Sequence, residues 1–89
     1  MTRQIDNTRL DTFMAHYEPH LTAVVQERPE EYCYPVSTVP QVAQRMRAAF
    51  ERGSYNHDGL AIARTCRALG LKHTRKAIEA FLSGVEAAQ

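Results

Sequence analysis

Leu10, Phe13, Met14, Tyr17, Leu21, Val24 and Val25 recur at intervals of three and four residues. A strand turns alternate side chains to opposite faces and cannot gather that set on one side, whereas an α-helix does. The stripe stays in phase through Pro19, which removes one backbone donor and crowds the preceding turn. The spacing therefore predicts one kinked helix over about residues 8–27, capped by Asp6, Asn7 or Thr8, in preference to two shorter ones. A helix of that length dominates a chain of 89 residues and commits the remainder to covering its apolar side.

The rest of the chain supplies more helices and no segment with a strand period. Residues 28–38, "RPEEYCYPVST", break the helical period with two prolines and read as an ordered loop. Thr38 is expected to cap a second helix, about 39–52, with Pro40 tolerated in its first turn and Gly53 as its stop. Val39, Val42, Ala43, Met46, Ala49 and Phe50 form its inner stripe; Gln41, Gln44, Arg45, Ala48 and Arg52 lie opposite. After the turn "SYNHDG", Asp58 is placed to cap a third helix, about 59–69, with Ile62, Ala63, Cys66 and Leu69 inward and Gly70 ending it. Thr74 caps a fourth, about 75–87, through Ala77, Ile78, Phe81, Leu82 and Val85. The fold class is all-α. Residues 1–89 form one small bundle of four helices, or five if Pro19 divides the first, with a Pro/Tyr-rich loop between helices 1 and 2.

Bulk properties narrow the function classes. The amino terminus is polar without the apolar stretch of a signal peptide, and the longest aliphatic run, "AVV" at 23–25, is far from a membrane span. Two cysteines, Cys33 and Cys66, suit free thiols in a cytoplasmic protein better than a secreted disulfide scaffold. Net charge is +1, but it is unevenly spread: residues 1–40 hold three arginines against six acids, and residues 41–89 hold eight Lys/Arg against four acids. An anionic partner for the basic half is one reading of that asymmetry, and attraction between the halves is the other.

Within the basic half, "RTCRALGLKHTRKAIEAFL" at 64–82 places small Cys66, then Leu69-Gly70-Leu71, then a capped helix with Ile78 and Leu82. Residues 59–87 resemble a helix-turn-helix DNA-binding domain, with a turn about two residues longer than usual. The resemblance implies a supporting helix at 59–69 and a second helix presented to the major groove. The residues themselves mark Arg64, Arg67, Lys72, His73, Thr74, Arg75 and Lys76 as candidate nucleic-acid contacts, clustered where free helix amides also attract an anion. Double-stranded DNA is the first expected partner. A plain helical hairpin with a solvated basic face is the structural alternative.

Catalysis has no matching constellation. His16 and His20 in "HYEPH" have the four-residue spacing of a helical metal pair, but the glutamate between them points elsewhere and Pro19 distorts the turn. Cys33 and Cys66 lack a neighbouring base, the four glycines are scattered, Ser37, Ser54 and Ser83 have no nucleophile elbow, and Glu30 and Glu31 are adjacent in a loop. No enzyme activity, cofactor or metal is expected. The second expected function is a protein-interaction module, an adaptor or inhibitor of the phage- or plasmid-encoded kind. It would dock a host protein through Tyr32, Tyr34, Pro35 and Val36 and the acidic amino-terminal half. A homodimer is compatible with either function if the first helix leaves an apolar strip uncovered.

Overall fold

The computed structural model describes residues 5–32, 35–55, 57 and 59–84. Four α-helices follow in order: α1 (Asn7–Glu27), α2 (Val39–Glu51), α3 (Leu60–Ala68) and α4 (Arg75–Leu82), with a 3-10 turn (Val36–Thr38) leading into α2. No strand occurs among the described residues. The expected fold class is the observed one.

α1 is a single helix with Pro19 inside it. Its start is secured by the Asp6 carboxylate, which accepts from the amides of Thr8 (2.9 Å) and Arg9 (3.4 Å). The Asp6 amide in turn donates to the Leu82 carbonyl at 2.8 Å, so the cap residue of the first helix ties down the end of the last. Every other helix packs on α1, and α2, α3 and α4 lean on it more than on one another. α1 is therefore the axis of the molecule, as its long stripe requires.

Burial follows the stripe. Leu10, Phe13, Tyr17, Leu21, Val24 and Val25 are buried on α1. Phe13 meets the Phe50 ring edge-on at 5.3 Å and the Phe81 ring at 6.4 Å, joining α2 and α4 at one point. Phe50 also stacks with Tyr55 at 6.2 Å. Tyr55 is buried although its segment reads as a solvent turn, because Gly53 takes a left-handed φ of 84° and sends the chain back over α2. The Ser54 amide closes that turn onto the Ala49 carbonyl at 2.8 Å.

Three local expectations need correction. Thr38 does not cap α2 with its side chain; its hydroxyl donates back to the Pro35 carbonyl within the 3-10 turn. On α3 the buried residues are Ala61, Ile62, Thr65 and Cys66, with Ala63 only half-buried. Thr65 is tolerated inside because its hydroxyl donates to the Ala61 carbonyl at 2.7 Å. Val42 and Met46 are half-buried at the flank of the core. The proposed Asp58 cap and the inward Val85 lie outside the described residues.

Candidate nucleic-acid interface

The turn between α3 and α4 is built by Gly70. At φ 71° it lets the Leu71 amide reach the Cys66 carbonyl (2.8 Å) and its own amide reach the Arg67 carbonyl (3.2 Å), satisfying the end of α3. Leu71 is half-buried against the core, which leaves Lys72 exposed. Thr74 is extended, and its hydroxyl accepts from the Ala77 amide at 3.2 Å, so α4 starts where its cap predicts. One hydroxyl thus answers one free amide, and those of Arg75 and Lys76 in the same turn have no carbonyl within the helix to meet.

Seven residues of this region read alike in sequence, but the structure separates them. Arg64 grips Glu27 at the end of α1 with two parallel bonds of 2.8 and 3.1 Å. That hydrogen-bonded pairing lowers the Glu27 pKa and raises that of Arg64; partial desolvation opposes both shifts and the mutual charge attraction adds to them. Arg64 is consequently a clasp between α1 and α3, not an open phosphate ligand. His73 is also engaged: its Nε2 meets the His57 carbonyl, and the two imidazoles stand edge-to-face at 6.1 Å. This contact holds the start of α4 beside the approach to α3.

Arg67, Lys72, Arg75 and Lys76 remain. All four are exposed, and none has an ion-pair partner among the described residues. They form an open cationic set from the last turn of α3 to the first turn of α4. Further along α4, Glu79 is half-buried and its carbonyl takes the Ser83 hydroxyl at 2.8 Å. Arg9 of α1 lies over the Phe81 ring at 5.1 Å, closing the far end of the helix.

Replacing Glu27 by glutamine tests the clasp. The carboxylate sits below its ordinary value of 4.5, so its stabilisation is complete above that pH and is lost as the pH falls through the lowered value. The variant is expected to be slightly less stable at neutral pH, with its urea midpoint converging on wild type in acid. Midpoints that stay parallel across the range would remove the clasp from the stability account. The effect is small because both side chains are a third to a half exposed.

No family model, curated protein or solved structure matches the chain. The site stands on its own geometry.

The remaining sequence candidates resolve as follows. Tyr32 is half-buried and packs against the core, Pro35 and Val36 are exposed, and Tyr34 lies outside the described residues with Cys33. Val36, 37% exposed, is the one large apolar side chain left open among the described residues. The outward side of α1 carries Thr8, Asp11, Thr12, Ala15, Glu18 and Pro19, with no large apolar side chain exposed among its described residues. His16 and His20 turn Nδ1 toward the carbonyls four residues back, at 2.9 and 2.7 Å. Among the described residues no three metal-ligating side chains gather. Cys66 is buried, and burial pushes its thiol pKa up, away from the reactive thiolate. No described helix is long and apolar enough to cross a membrane.

Proposed function

We propose that this chain is a small DNA-binding accessory protein that holds the phosphate backbone of a duplex at the start of α4. The observation that carries the reading is the set Arg67, Lys72, Arg75 and Lys76, exposed and unpaired among the described residues between the last turn of α3 and the first turn of α4. Cations so placed release counterions from the duplex, and the free amides of α4 add to the attraction. Such contacts give affinity and orientation with little sequence information. Arg64 and His73 serve indirectly, by holding α3 to α1 and the start of α4 to the segment before α3.

The test is fluorescence anisotropy with a random-sequence duplex at several salt concentrations. Replacing Arg75 and Lys76 together by alanine is expected to weaken binding and to reduce the slope of log affinity against log salt by about two. Melting should be unchanged, because both side chains are exposed. An unaltered slope and affinity would remove the α4 start as the site. Absence of any duplex binding by wild type at low salt would remove the function. The exposed tip Pro35–Val36 would then carry the alternative, docking on a protein partner, with Tyr32 anchoring the loop to the core.

A further inference from the structure

We infer that the outward face of α2 reads base edges in the major groove of duplex DNA. The inference rests on the DNA-binding reading above but assigns a second, different element to sequence recognition. Gln41, Gln44, Arg45, Ala48 and Arg52 follow the three-and-four spacing of one helical stripe, directly opposite buried Val39, Ala43 and Phe50. At about 100° per residue the five share an arc of roughly 100°. Among the described residues α2 packs mainly on α1 and the 3-10 turn, and Gln41, Gln44, Arg45 and Arg52 on this arc are exposed.

The chemistry of the stripe suits one occupant. Arginine pairs with the acceptors of guanine, glutamine with the donor and acceptor of adenine, and an alanine methyl meets that of thymine. Ala48 is half-buried at the centre of the arc, where its small side chain lets a groove floor approach the helix. From Gln41 to Arg52 the helix rises about 16 Å, the length of roughly five base pairs. A helix with its side chains is about as wide as the major groove.

Charge agrees with shape. Arg45 and Arg52 are exposed and unpaired among the described residues, and no acid lies on the stripe. The nearest acids are drawn to its edge: Arg47 binds Asp11 at 2.7 Å and Glu51 at 4.0 Å, beside a shallow cleft that also includes Glu18 and Gln44. A second copy meeting this face about a twofold axis would bring four unpaired arginines into one interface with no acid on either stripe to answer them. A-form RNA has a major groove too narrow for a helix. α4, by contrast, carries Glu79 midway along its outer side, which suits it for phosphate contact at its start and not for reading bases.

The experiment is selection of duplexes from a random library, by wild type, by Arg45→Ala and by the Arg75→Ala/Lys76→Ala double variant. Wild type is expected to enrich a motif of about five contiguous base pairs. Arg45→Ala should bind random duplex within about threefold of wild type at low salt yet lose about tenfold or more on the enriched motif, with relaxed preference at one position. The double variant should enrich the same motif with weaker overall binding. Duplex binding without any motif, or an identical motif and affinity for Arg45→Ala, overturns the base-reading role while leaving the phosphate site standing. Equal binding of an RNA duplex, or a dimer in sedimentation that Arg45→Ala dissociates, overturns it as well. Failure of wild type to bind any duplex removes both proposals.

Discussion

Phe13→Ala is expected to cost about 3–5 kcal/mol and to bring the domain to the edge of unfolding at room temperature. The ring is 0% exposed and touches Phe50 of α2 edge-on and Phe81 of α4. Truncation therefore opens a cavity where three helices meet, and each loses the same partner. A domain of this size is stable by roughly 5–10 kcal/mol in total, so the loss is a large fraction of the whole. Thermal unfolding should move down by at least about 12 °C, and urea unfolding should show a lower midpoint. Phe81→Ala, at a half-buried ring, should cost visibly less. A loss below about 1 kcal/mol at Phe13 would mean that the junction relaxes around the cavity and that α1 does not organise the core there.

What the sequence discloses divides along physical lines. The α1 stripe and the Gly53 and Gly70 stops are legible because they are local: a helical period and a left-handed residue act over one or two turns. Thr74 is legible for the same reason, its hydroxyl needing only the amide three residues ahead. Thr38 has the same composition signal, but the chain enters α2 through a 3-10 turn that claims its hydroxyl first. Tyr55 looks like part of a polar turn, and only the return of the chain over Phe50 buries it.

The candidate site shows the harder limit. Arg64 and Arg67 lie one turn apart and read as equivalent cations, yet one is neutralised by Glu27, 37 residues earlier, and the other is open. A sequence displays the sign of a charge and not the tertiary partner that cancels it. His73 is spent in the same way on His57. The stripe on α2 is visible in the sequence as the side opposite the core, but only the fold shows that Gln41, Gln44, Arg45 and Arg52 stay exposed.

Pro19→Ala is expected to stabilise the protein, by about 2–2.6 kcal/mol. Pro19 is exposed and sits well inside the 21-residue α1. An interior helix proline costs about 3 kcal/mol relative to alanine, since it offers no N–H to the carbonyl four residues back and its ring crowds that turn. Part of the gain is offset because proline also restricts the unfolded chain, by about 0.4–1 kcal/mol. Melting should rise by about 8–20 °C. The position of Pro19 gives the opposite result a definite meaning. Before it, Asp6, Arg9 and Phe13 engage the end of α4 and the aromatic ring of α2; after it, Glu27 engages α3. A measured loss of stability would show that α1 needs the local geometry of proline to direct its two halves at different partners. A gain would show that the stripe alone holds α1 in place and that Pro19 is a cost the fold carries.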